Sequence, residues 1–228
     1  MRRVVWATST DDPRILAALT AVIGAIDRAE LRVELSGVVL APRDGFAPPD
    51  ATAELASAAG IPIVVWGDVL APDLVLLVGY QWIVGADLLD RHRFVNVHPA
   101  LPDGPIGHED EVLDALVAQD VRTSGLMAHV VSPALDRGPV LTFARFDVPP
   151  AVGWPTRVHA RRALVDGVGR CLAPFVVATL EVLSEEPRSW PPGAAPGAIA
   201  WPRDLTDAVR RPASAGGGAP LTCPPCTS

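Results

Sequence analysis

Between residues 3 and 97 the chain alternates short, β-branched apolar runs with helical stretches, and this alternation constrains the fold more than any other feature. Arg3–Thr8, Leu31–Leu40, Ile61–Trp66, Asp73–Val78 and Arg93–Val97 read as strands. Asp73–Val78 is almost wholly apolar, as a strand buried on both faces requires. Helices are expected from Thr10-Asp11-Asp12-Pro13, a capping segment followed by proline, to about Ala29, then over Asp50–Ala59, and from the Gly79–Trp82 turn to near Asp90. Strand–helix alternation of this kind predicts a Rossmann-like α/β fold, a mostly parallel sheet flanked by helices. Such sheets bind ligands at the carboxyl ends of their strands. Gly79 and the segment Asn96-Val97-His98-Pro99 both lie at such ends.

After residue 100 the pattern changes. Leu101–Gly107 is a Pro/Gly loop, and His108–Gln119 reads as a helix with acids in its first turn. Thr123–Ser132 and Pro139–Val148 read as two strands joined by a turn that holds Asp136, an antiparallel hairpin added at one side of the sheet. Trp154–Leu183 is expected to be a long helix. Residues 1–185 are thus read as one catalytic domain. Residues 186–228, rich in Pro, Gly and Ala, are read as a tail whose end is disordered, with Ala198–Trp201 docking back as a small apolar patch.

Charge and cysteine content narrow the function. All 19 basic residues are arginine, which excludes chemistry that depends on lysine, and the net charge is −7. With no long basic run, a nucleic-acid partner is not expected. Of the three cysteines, Cys171 reads as core and Cys223/Cys226 as a lone pair without further ligands, so no metal site is expected. No signal peptide or apolar stretch of membrane-spanning length is apparent, which points to a cytoplasmic protein without a membrane partner.

Asn96 and His98 stand two apart on a strand that Pro99 ends, so their side chains share a face. A carboxamide that donates to a developing oxyanion, an imidazole that moves protons and a carboxylate that orients it form a coherent set, and Asp136 is the candidate carboxylate. A carboxylate there is expected to raise the imidazole pKa. His108 reads as a helix cap. His129, alternating with Met127 and Val131, reads as strand packing, and Trp82 either stacks on a ligand or anchors its helix.

Asp73-Leu-Val-Leu-Leu-Val-Gly79-Tyr80, Asn96-Val-His98-Pro99-Ala100-Leu101-Pro102 and Leu135-Asp136-Arg137-Gly138-Pro139-Val140 together resemble the folate-dependent formyltransferases, those acting on glycinamide ribonucleotide in particular. The resemblance implies 10-formyltetrahydrofolate as formyl donor and a small-molecule amine as acceptor. It implies that Asn96 binds the formyl oxygen, His98 assists and shuttles a proton, and Asp136 supports the imidazole and relays the amine's proton through water. It implies a pterin pocket built from Tyr80, Gln81, Trp82, Ile83, Val131, Ser132, Ala134 and Leu135. The family's nucleotide-binding member has a glycine-rich phosphate loop after its first strand, where this chain has Ala7-Thr8-Ser9-Thr10-Asp11-Asp12. Two carboxylates where a dianion would rest favour an amino sugar, aminoglycoside, amino acid or peptide as acceptor. A 10-formyltetrahydrofolate hydrolase and a non-catalytic folate- or metabolite-binding relative are the alternatives. The oligomeric state is left open, a homodimer among the options.

Overall fold

The computed structural model describes residues 1–43, 47–68, 72–148, 157–185 and 202–210. One eight-stranded sheet in the order β3-β2-β1-β4-β5-β6-β7-β8 organises them. Its strands are β1 (Arg2–Thr8), β2 (Val33–Leu40), β3 (Ile63–Val64), β4 (Leu74–Val78), β5 (Phe94–His98), β6 (Thr123–Val130), β7 (Val140–Asp147) and β8 (Arg203–Asp204). The helices are α1 (Pro13–Asp27), α2 (Asp50–Ala58), α3 (Ala86–Arg91), α4 (Glu109–Ala118), α5 (Arg157–Glu185) and α6 (Thr206–Arg210). β1 to β5 pair in parallel and β6 and β7 antiparallel, the architecture read from the sequence.

Alternation along the central strands fills both faces. In β1, Val4 and Trp6 enter the larger core beneath α1, α4 and α5, while Val5 and Ala7 enter a smaller core with Val84, Phe94 and residues of α3. All five residues of β4 are buried, which accounts for its unbroken apolar run. Chain direction across the sheet reverses between β1, which leads on to β2, and β4, its other neighbour. Crevices in open α/β sheets form at that switch. Gly79 closes β4 there with φ +63°, and its carbonyl accepts the Ser9 N–H at 3.2 Å. A side chain at this glycine would collide with Ile15 of α1, so the turn and the helix approach each other only without one.

Three expectations are corrected. The run read as a strand over Ile61–Trp66 pairs only at Ile63–Val64 before a 3₁₀ turn at Trp66–Asp68, because it is a half-exposed edge. Residues 202–210, assigned to a tail, form β8 and α6. β8 pairs in parallel with β7, and Arg145 binds Asp204 at 2.6 Å, covering an otherwise open sheet edge. The Ala198–Trp201 patch, Cys223 and Cys226 lie outside the described residues. Finally, α5 is long and apolar enough by length and composition to cross a membrane; half of its most apolar window is buried in the protein, against α1, β6 and β7.

Candidate active site

β5 carries Asn96 and His98 on one face, as the two-residue period requires. β6 runs antiparallel to β5 with His129 opposite Asn96 and Met127 opposite His98, so a second imidazole enters the same volume. The β6–β7 turn then brings in Asp136, whose φ of +49° lies in the left-handed region that Asp tolerates better than most residues. His98 Nδ1 stands 3.7 Å from Asp136 Oδ2, and His129 Nε2 stands 3.6 Å from Asp136 Oδ1. The Asn96 amide donates to His129 Nε2 at 3.2 Å and, more weakly, to Asp136 Oδ1 at 3.4 Å.

Main-chain groups fix the protonation pattern. His98 Nε2 is 2.9 Å from the Pro105 carbonyl, which can only accept, so Nε2 carries the proton and a neutral ring presents a bare Nδ1 to Asp136. His129 Nδ1 likewise donates to the Val130 carbonyl at 3.0 Å, and Nε2 faces Asn96 and Asp136. The Gly107 N–H donates to Asp136 Oδ2 at 3.0 Å. Gly107 itself has φ +112°, where a side chain would be strained and would strike the Glu111 carboxylate. The Pro/Gly loop of residues 101–107 therefore holds both His98 and Asp136 from the backbone.

Burial pushes the His98 imidazole below its ordinary value. The Pro105 carbonyl and the Asp136 carboxylate oppose this, and His129 and Arg137 add to it. The expected rise caused by the carboxylate is thus present but outweighed, because desolvation dominates for a ring only 3% exposed. Burial also acts to raise the Asp136 carboxyl, but the His129 ring, the Gly107 N–H and His98 together hold it below the usual carboxylate range.

Asn96, His98 and Asp136 open into a cavity of about 590 Å³, lined also by Tyr80, Gln81, Trp82, Ile83, Val131, Ser132 and Leu135. Volumes of this size suit a small organic ligand. Ala134 is not in the lining. Its carbonyl accepts from Ser132 Oγ (3.1 Å) and Arg137 N (3.2 Å) inside the turn. Trp82 donates its indole N–H to the Ala41 carbonyl at 3.0 Å, anchored to the end of β2 and not to its own helix, and stays 43% exposed at the rim. Ser9 Oγ accepts the Gln81 N–H at 3.1 Å, tying the β4 turn to the end of β1. His129 is the member of this cluster that periodicity missed. Its alternation matched packing, and only the pairing of β5 with β6 reveals its place.

Known proteins carry the same arrangement of elements. Residues 56–159 match the model of the formyl transferase family. A phosphoribosylglycinamide formyltransferase of Mycobacterium tuberculosis (strain ATCC 25618 / H37Rv) is 42% identical over 73 residues, 31% of this chain and 33% of that protein. The match thus spans about a third of the curated relative's length. Among solved structures, glycinamide ribonucleotide transformylase 1 from Geobacillus kaustophilus superposes with a TM-score of 0.62 at 21% identity, over 80% of this chain and 98% of that one. Phosphoribosylglycinamide formyltransferase from Anaplasma phagocytophilum gives 0.61 at 20% identity, over 81% and 87%. The formyltransferase fold is therefore that of this chain across most of its length, with Asn96, His98, His129 and Asp136 all inside the matched segment.

Proposed function

We propose that this protein is an N-formyltransferase that moves the formyl group of 10-formyltetrahydrofolate to an amine of a small molecule. The observation that carries the reading is the convergence of Asn96, His98 and Asp136 within 3.7 Å at the floor of one cavity, beside the Tyr80–Ile83 and Val131–Leu135 segments. The donor's pterin lies against those two segments, and its formyl carbon faces Asn96 and His98.

The amine attacks the formyl carbon, and charge builds on the formyl oxygen. Asn96 meets that charge with the amide N–H that Asp136 holds only at 3.4 Å, while the other stays on His129. His98 Nδ1, bare and beside Asp136, takes the amine's proton, directly or through water. The resulting imidazolium is stabilised by the carboxylate. Collapse of the tetrahedral intermediate breaks the bond to N10 of the folate, and the proton is returned to N10. A neutral, buried His98 fits a group that must accept a proton near neutral pH. Amino sugars, aminoglycosides, amino acids and peptides are the acceptor classes favoured over glycinamide ribonucleotide.

Two measurements test this. Calorimetric titration with a stable 10-formylfolate analogue should give saturable binding that weakens on Trp82→Ala; no binding at millimolar ligand would overturn the reading. Mass spectrometry of reactions containing 10-formyltetrahydrofolate and an amine panel should give an acceptor 28 Da heavier (roughly, the mass of CO). Formate released at the same rate without any amine would replace transfer by hydrolysis.

A further inference from the structure

We infer that the acceptor end of this cavity takes an amine that carries no phosphate, and that Asp12 sets this specificity. The inference rests on the formyl-transfer reading above, since it concerns that reaction's second substrate. Asp12 and Arg14, from the start of α1, and Glu109, from the start of α4, line the same cavity as Asn96, His98 and Asp136. A helix that opens onto a cavity normally offers it free N–H groups and partial positive charge, which suit an incoming anion. Here α1 supplies its own anion. Asp12 Oδ1 accepts the Arg14 backbone N–H and its Nε–H, both at 2.8 Å, and Oδ2 accepts Arg14 Nη2 at 2.6 Å. Arg14 Nη1 reaches across to Glu109 Oε1, also at 2.6 Å.

The two groups that would grip a phosphate, the first-turn amide and the guanidinium, are thus both occupied by carboxylates of the protein. Two carboxylates on one guanidinium leave the cluster one charge negative. Burial acts to raise the Asp12 carboxyl, but its bonds to Arg14 hold it below the usual range, so this charge persists at neutral pH. Of the other cations lining the cavity, Arg161 is likewise committed, to Asp110 and Asp114. A phosphate dianion would have to displace a carboxylate from Arg14 and rest against both; an uncharged or cationic amine would not. Asp11 plays no part. It turns away and caps α2, accepting from Ala51 N (2.8 Å), Thr52 N (2.9 Å) and Thr52 Oγ1 (2.8 Å), which narrows the two-carboxylate expectation to Asp12. The relatives described above are named for a phosphoribosylated amine.

The test is calorimetric titration of ribose 5-phosphate, at low ionic strength, into the full-length protein and the variant Asp12→Ser/Glu109→Gln. Serine keeps a capping oxygen for α1 while vacating the carboxylate, and the glutamine removes the second charge from Arg14. The wild type should show no binding at millimolar ligand, and the variant should bind at least about tenfold more tightly, because Arg14 and the first-turn amide become available. Sub-millimolar binding by the wild type would overturn the inference. So would a variant that melts cooperatively, still binds the 10-formylfolate analogue and gains nothing for the phosphate. Should the serine variant fail to fold, Asp12→Asn/Glu109→Gln, which keeps a full cap, is read by the same criteria. Absence of donor-analogue binding by the wild type would defeat the formyl-transfer reading and the inference with it, whereas phosphate binding by a wild type that also binds the donor analogue would defeat the inference alone, so the two failures are distinguishable.

Discussion

One cavity is held in two different ways at its two ends. At the β5 end the groups are two imidazoles and one carboxylate, almost fully buried, and backbone atoms of Pro105, Gly107 and Val130 fix them. At the α1 end the groups are fully charged, partly open to water, and fix one another through side chains. Backbone-held geometry tolerates little, because moving it means moving a loop and a sheet. Side-chain ion pairs can be rebuilt by single substitutions and are screened by salt. In the proposed reaction, chemistry would fall to the rigid end and acceptor choice to the adjustable one.

The largest effect should come from Asp136. Asn tolerates the same left-handed φ, so Asp136→Asn removes the charge with little backbone cost. Formyl transfer, followed by product mass, should fall about 10²–10⁴-fold with the melting curve nearly unchanged. His98→Ala should match it, and wild-type turnover in both variants would break the proposed mechanism. Next is Gly107→Ala, which forces a side chain into φ +112° against Glu111 and dislodges the N–H from Asp136. A loss of about 1–3 kcal/mol in denaturant titration is expected, together with reduced turnover. Unchanged stability would mean that the loop adapts and that the rigid end is less rigid than its hydrogen bonds imply.

The pH response is smaller and separates the ends again. Burial lowers the folded-state pKa of His98 and of His92, whose buried Nδ1 has no partner. Below the unfolded value of 6.5 the unfolded chain binds protons that the folded chain does not. Their stabilising contribution is therefore complete above that pH and is lost as pH falls through the lowered folded values. Thermal unfolding between pH 7.5 and 5 should show this decline, and His98→Gln should flatten part of it; an identical slope would contradict the assignment of a neutral, buried His98. The smallest effect belongs to the charged end. Arg14→Met should cost about 1 kcal/mol or less, because its partners are partly exposed, and the difference from wild type should shrink in high salt. A salt-independent cost would show that Arg14 acts by packing.

Much of this protein was legible from local pattern. The buried β4 run, the alternation from β1 to β5, the i, i+2 pair Asn96/His98 and the Asp136 turn all depend on neighbours in sequence, and the structure keeps them in place. Helix and strand ends drifted by a few residues, as fraying ends do. The short β3 edge and the return of residues 203–210 to the β7 edge were not legible, because both depend on what lies beside them across the sheet.

The sequence by itself determined the sheet, the strand that carries Asn96 and His98, and the residue types needed for acyl transfer. Periodicity and composition act over a few residues and suffice for these. Tertiary structure alone decided that His129 faces Asn96, that burial and not Asp136 sets the His98 pKa, and that Asp12 reaches Arg14 and Glu109 while its neighbour Asp11 turns to α2. Each of these is a pairing or desolvation energy between segments distant along the chain, and it exists only once the sheet has brought them together.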